Sequence, residues 1–205
     1  LNMQDREKII LAHFQRNDPF IAGLIMRLGP LTYPLASSAF ETLVHAIIGQ
    51  QLSVKAADTI HRRFLELIVY QVTPSQVLRL NEEDLRSVGI SRQKASYLYS
   101  LAEHFSAMPE KYNAMETLDD EEIISLLTAI KGIGRWTAEM YLMFNLCRDD
   151  VFPFDDLGIR QQMERHYSLP IDKKPNRKAY EAIAEKWRPY RSIACRYLWN
   201  SKDKL

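Results

Sequence analysis

Three stretches of the chain combine residue types and spacings that could do chemistry. The first, Ile130-Lys131-Gly132-Ile133-Gly134-Arg135-Trp136-Thr137-Ala138, sets two glycines between apolar helical repeats. Glycine permits positive φ and close backbone approach, so the amides that open the second helix could reach a phosphate. Such a contact reads the backbone of a nucleic acid and not its bases. A glycine pair also serves as an ordinary C-cap and turn, and the pattern by itself leaves both readings open. The second stretch is Asp150-Val151-Phe152-Pro153-Phe154-Asp155-Asp156-Leu157-Gly158-Ile159-Arg160. Asp156 stands directly before a helical pattern running towards Arg165, where its side chain can N-cap and where the helix N-terminus favours negative charge. The third is the C-terminal part of the chain. Residues 160 to 205 hold 12 Lys/Arg against 5 Asp/Glu, a balance of +7, which leaves 15 against 21, or −6, for residues 1 to 159. The basic part could track phosphates or simply be a solvated helical surface.

The elements that must position these residues read as helices. Apolar residues recur at helical spacing in Phe40, Leu43, Val44, Ile47 and Ile48, and in Ile123, Ile124, Leu127 and Ile130. The same pattern marks Ile9 to Phe14, Ile21 to Leu28, Ala95 to Phe105, Trp136 to Phe144, Tyr180 to Trp187 and Ile193 to Trp199. The strand-like run Leu67 to Val72 continues a helical pattern from Ile60 and Phe64 and has no partner strand, so it reads as a helix end. Breaks fall at Gly29-Pro30, Pro34, Thr73-Pro74-Ser75, Met108-Pro109, Pro153 and Lys173 to Asn176, and Ser75 and Asn81 read as N-caps. The predicted class is all-α. One local echo stands out: Leu85 to Ala95, with Gly89-Ile90 between two helices, repeats the form of Leu127 to Ala138.

Composition removes several classes of function. At 205 residues with 46% apolar and 26% charged residues, the chain can bury a core without staples, and no stretch approaches the roughly 18 apolar residues needed to span a bilayer. Cys147 and Cys195 are too few for a four-thiolate cluster, and free thiols in a reducing compartment are expected. The five histidines are scattered without metal-ligand spacing. The start lacks a signal-peptide pattern, which points to the cytoplasm or nucleoid, or to the nucleus of a eukaryote.

The hairpin followed by a Pro-containing loop and Asp156 resembles the helix-hairpin-helix DNA glycosylase superfamily, and within it the 3-methyladenine DNA glycosylase II group. The carrying residues are Gly132-Ile133-Gly134-Arg135-Trp136-Thr137-Ala138 and Asp150-Val151-Phe152 with Asp155-Asp156. Ala39-Phe40-Glu41 through Gly49-Gln50-Gln51-Leu52-Ser53-Val54 is similar to the family's first core helix and the loop that enters the minor groove. Ala184 to Ser192 and Trp199 resemble its closing helices. The resemblance runs from about residue 39 to 199. Longer members carry an N-terminal α/β domain, and a chain of this length resembles the compact all-helical members instead. Those longer members also place an aromatic at Met140 and another at Asn200, so the base pocket here is expected to differ in shape.

What the resemblance implies is a two-lobed helical glycosylase. A helical subdomain would span 39–156 and a second would combine 1–38 with 157–205, with a cleft between them. The chain would act as a monomer on double-stranded DNA containing alkylated bases, flip out an alkylated purine and hydrolyse its N-glycosidic bond in base excision repair. Asp156 would be the catalytic carboxylate, facing the positive charge that develops on the sugar. Trp136, Trp199, Met140 and Phe40 would line the base pocket, where indole faces attract a cationic N-alkylated purine. Gln51 would fill the gap left by the flipped nucleotide, and Gly132, Ile133, Gly134, Arg135 and Thr137 would hold the DNA backbone. Trp136 stands where lyase members, such as the endonuclease III type, carry a catalytic lysine, so no strand cleavage is expected. No cofactor is expected to be required; the carbonyls of Thr128, Ile130 and Gly132 match those that hold a Na+ or K+ ion in the superfamily. The alternatives are an endonuclease III-like glycosylase/lyase and a non-catalytic DNA-binding hairpin module.

Overall fold

The computed structural model describes residues 2–33, 37–171 and 175–201, and among them it contains helices and loops with no strand. The N-terminal helices are α1 (Met3–Asn17), α2 (Pro19–Leu28), α3 (Ala39–Gly49) and α4 (Val54–Leu67). Next come α5 (Pro74–Arg79), α6 (Glu82–Ser87), α7 (Arg92–Ala107) and α8 (Pro109–Asn113). The remainder are α9 (Asp120–Thr128), α10 (Arg135–Phe144), α11 (Leu157–His166), α12 (Arg177–Ala184) and α13 (Arg191–Ser201). Short 3-10 turns lie at Met115–Thr117 and Glu185–Trp187. Among the described residues no helix is long and apolar enough to cross a membrane.

The chain divides into two units, residues 35–146 and residues 1–34 with 147–205. The segment 147–156, expected with the middle bundle, belongs to the terminal unit. It is strapped there by hydrogen bonds to the start of α13, a long-range pairing that leaves no periodic signal in sequence.

Capping side chains set the helix starts in the middle unit. Ser38, Ser53 and Ser91 each accept from the third residue on, and Asn81 and Asp119 form reciprocal capping boxes with Asp84 and Glu122. The expected cap at Ser75 is displaced two residues. Thr73 Oγ1 accepts from Gln76 N at 3.3 Å, and Pro74 takes the first helical position, where its missing N–H is not needed. After α4 the chain turns through Val69 and Tyr70, both at positive φ, which ends the helix within the strand-like run. The buried face of α3 (Phe40, Leu43, Val44, Ile47, Ile48) packs against α7, which buries Leu98, Leu101 and Ala102. α10 packs on α9 and on α3.

In the terminal unit α2 and α11 both pack on α13, and one buried carboxylate ties the helix ends together. Asp18, 5% exposed, closes α1 with its own amide and caps α2 with its side chain. It also accepts from Tyr167 Oη at 2.7 Å and Trp187 Nε1 at 2.6 Å. Burial, and then the Asp18 hydrogen bond, push the Tyr167 phenol far above its usual range, so it remains a donor. Removing the carboxylate strands the Ile21 amide, the Tyr167 hydroxyl and the Trp187 indole N–H. Asp18→Ala is expected to lower unfolding stability by about 3–5 kcal/mol in urea titration, and Tyr167→Phe by about 1–2 kcal/mol. A loss under 1 kcal/mol for Asp18→Ala would show that the hub contributes little.

Candidate active site and nucleic-acid interface

The terminal unit carries the acidic site. Asp156, 9% exposed, N-caps α11, with its Oδ1 accepting from Ile159 N at 2.8 Å. The same oxygen accepts from Trp199 Nε1 at 2.9 Å. The sequence allowed Asp156 both to cap the helix and to carry charge there; in three dimensions its carboxylate caps the helix and meets the indole. Trp199 is half-buried, and its edge lies against Gly158, where a built Cβ would sit 3.3 Å from Trp199 Cδ1 and 3.2 Å from Asp156 Oδ1. Gly158 is thus a site residue that sequence reasoning passed over. Its signal was present as a glycine two positions after the aspartate, in a helix where glycine is otherwise unfavourable.

The loop that delivers Asp156 is fastened from behind. Arg191 Nε reaches Asp150 Oδ1 at 2.7 Å, and its Nη2 also donates to the Asp150 carbonyl. Arg188 Nη1 takes Asp150 Oδ2 at 2.7 Å. Val151 N donates to Ser192 Oγ at 2.8 Å, and Ser192 N to the Asp149 carbonyl at 2.9 Å. α13 therefore straps the loop at its first turn and supplies Trp199 near its end. The Asp155 side chain is exposed.

The hairpin lies in the middle unit. Gly132 has φ +89°, and a methyl there would fall inside the ring of Tyr97, so this glycine is required both by conformation and by close approach. Gly134 differs from expectation. It has φ −90° and ψ 171°, extended backbone open to any residue, and serves as the N-cap of α10 with open space around its Cα. Among the described residues α10 has no side-chain cap, whereas α7, which follows the echoed turn at Gly89, is capped by Ser91 Oγ. An uncapped helix N-terminus is the arrangement a phosphate can complete.

Other predicted contacts are placed differently. The amide of Ile133 donates to Ile130 O at 3.1 Å and its side chain is buried, so it shapes the turn and is not offered outward. Thr137 is also buried. The Arg135 guanidinium is engaged by both Glu121 oxygens and by Glu139 Oε1 at 3.0 Å, and the Glu121 hydrogen bond raises its pKa further. It clamps α9 to α10. Glu121 was missed because a carboxylate 14 residues away carries no local pattern. Phe40 is 4% exposed with its ring edge-on to Phe105 at 5.3 Å, a core residue of this unit. Trp136 is 45% exposed on the first turn of α10, and the half-buried Met140 lies one turn on along the same face.

Gln51 sits exposed in the turn after α3 at φ +57°, between Gln50 and the 38%-exposed Leu52. Of the expected cation ligands, the Gly132 carbonyl accepts from Gln50 Nε2 at 2.8 Å and that of Ile130 from Ile133 N. Thr128 turns its hydroxyl back to Ile124 O. Among the described residues no group of three His, Cys, Asp or Glu side chains could hold a metal.

Residues 44–189 match the model of the HhH-GPD superfamily base excision DNA repair proteins. The chain is 35% identical to DNA-3-methyladenine glycosylase 1 of Schizosaccharomyces pombe over 214 residues, covering 98% of this chain and 92% of that protein. Its fold is similar to the crystal structure of a DNA-3-methyladenine glycosidase from Bacillus halodurans, with a TM-score of 0.80 and 33% identity over 92% of this chain and 86% of that one. It is also similar to the Schizosaccharomyces pombe 3-methyladenine DNA glycosylase Mag1 in complex with abasic DNA, with a TM-score of 0.77 and 34% identity over 97% of each chain. The helical hairpin, the Asp156 loop and these matches together establish that the chain belongs to the HhH-GPD superfamily of base excision DNA repair proteins.

Proposed function

We propose that this chain is a monofunctional DNA glycosylase that releases alkylated purines of the 3-methyladenine type from double-stranded DNA and leaves an abasic site. The observation that carries the reading is the Asp156 carboxylate, buried at the start of α11 with one oxygen held by the Ile159 amide and the Trp199 indole. Loss of a purine builds positive charge on the deoxyribose, and a preorganised carboxylate stabilises that charge without reorganising. Because Oδ1 is oriented by two N–H donors, the direction of the carboxylate is fixed before substrate arrives.

The remaining groups take supporting roles in this reading. In the terminal unit Trp199, held against Asp156, offers an indole face to an electron-poor alkylated base, worth about 0.5–2 kcal/mol through stacking and cation–π attraction. Gln51 enters the stack to fill the gap left by the flipped nucleotide. The turn at Gly132 and the N-terminus of α10 at Gly134 hold phosphate through backbone groups, with Arg135, Ile133 and Thr137 setting the shape of the turn. Each of the Thr128, Ile130 and Gly132 carbonyls is a neutral hard oxygen with two lone pairs. They suit a monovalent cation, whose charge would add to the attraction for a nearby phosphate.

Asp156→Asn keeps an oxygen acceptor for the cap and the indole and removes only the charge. Folding and duplex affinity should persist while single-turnover release of 3-methyladenine from a defined-lesion duplex falls by at least about a hundredfold; near-normal release by the folded variant would defeat the assignment. Gly158→Ala pushes a methyl towards Trp199 and Asp156. It should lower base release about tenfold while the melting temperature moves by only a few degrees, since the helix itself gains from alanine. Strand cleavage needs an amine joined to the sugar C1′, and Trp136 stands where that amine would be. Duplex product should therefore run uncut until alkali is added, with no adduct trapped by borohydride. A trapped adduct lost on substituting one lysine, such as Lys131, would establish the lyase alternative.

A further inference from the structure

The turn that presents Gln51 is short and bent through a left-handed residue, so something outside it must hold its shape. Two side chains do this within the middle unit. Lys94 Nζ donates to the carbonyl of Ile48 at 2.7 Å, and Gln50 Nε2 donates to the carbonyl of Gly132 at 2.8 Å. The last turn of α3 contains no basic residue of its own, so its terminal carbonyls receive their cation from α7. Partial burial lowers the pKa of Lys94.

Lys94 is not alone on its helix. Tyr97 lies directly beneath Gly132, and Ser100 Oγ accepts from Lys131 N at 3.3 Å. Residues 94, 97 and 100 are spaced by three and share one face of α7. The outer two support different loops, Lys94 the Gln51 turn and Ser100 the hairpin. Gln50 closes the arrangement by joining the two loops to each other.

We infer that Lys94 and Gln50 are positioning residues that hold the Gln51 turn in register with the Gly132 hairpin on a single stripe of α7, so that insertion into the stack is geometrically tied to the grip on phosphate. The inference rests on the reading of Gln51 as the residue that fills the flipped-out gap. Neither residue touches the reacting atoms; each acts through the loop.

The test compares Lys94→Met, which keeps the stem and removes the donor, with Gln50→Leu. For each, base release from a fully paired lesion should fall about tenfold, while release of the same lesion from single-stranded DNA falls less than about twofold, because only the paired substrate requires unstacking. Adding Lys94→Met to Gln51→Ala should lower the paired-to-single-stranded ratio no further. The salt dependence of binding to undamaged duplex should not change, since the ammonium binds a carbonyl. Fluorescence of 2-aminopurine beside an abasic site reads insertion without any chemistry, and both variants should reduce its rise on binding. Equal losses on both substrates, an additive double variant, a salt slope smaller by about one, or an unchanged fluorescence rise would each overturn the inference. Absence of base release by the unsubstituted protein would instead overturn the glycosylase reading, and the fluorescence arm would still decide the role of Lys94. A melting curve for each variant separates unfolding from loss of register, and Gln50→Leu carries the test if Lys94→Met does not fold.

Discussion

The start of α11 and the end of α13 meet at one oxygen. Asp156 Oδ1 receives the Ile159 amide and the Trp199 indole N–H, so a single acceptor starts α11 and orients the aromatic ring of α13. A carboxylate at that place is favoured by the helix N-terminus, and two fixed donors leave it little freedom. The surrounding residues follow from this constraint. Gly158 has to be small because the indole edge lies against it, and the strap from α13 fixes the 150–156 segment that leads into the carboxylate. The far end of α11 is tied by Tyr167 to the buried Asp18, which also holds the junction of α1 and α2. α11 is thus restrained at both ends by carboxylates, Asp156 at its start and Asp18 at its end.

The middle unit solves a different problem with backbone. Its two hairpins share a plan: a helix, a glycine at positive φ and a second helix. They differ at one residue, since Ser91 caps α7 and Gly134 leaves α10 without a side-chain cap. That single difference separates a turn satisfied by its own side chain from one whose opening amides suit an external anion. Arg135 separates backbone from side chain at this turn. It sits in the hairpin motif, yet its guanidinium is held by Glu121 and Glu139, and it serves by fastening α9 to α10.

Much of this was legible in the chain itself. The helical class followed from apolar spacing, because a 3.6-residue period is a local property that burial imposes on every helix. The cap at Asp156 was legible because a short polar acceptor stands directly before a helical pattern, and Gly132 because positive φ and close approach both demand glycine. What the tertiary structure alone decided are pairings between distant residues. Trp199 donates to Asp156 across 43 positions, Lys94 reaches Ile48 across 46 and Gln50 reaches Gly132 across 82. Phe40 went to the core and Arg135 to its carboxylates for the same reason. A hydrogen bond depends on the distance and angle between two groups in space, and periodicity records only which side of its own helix each group occupies.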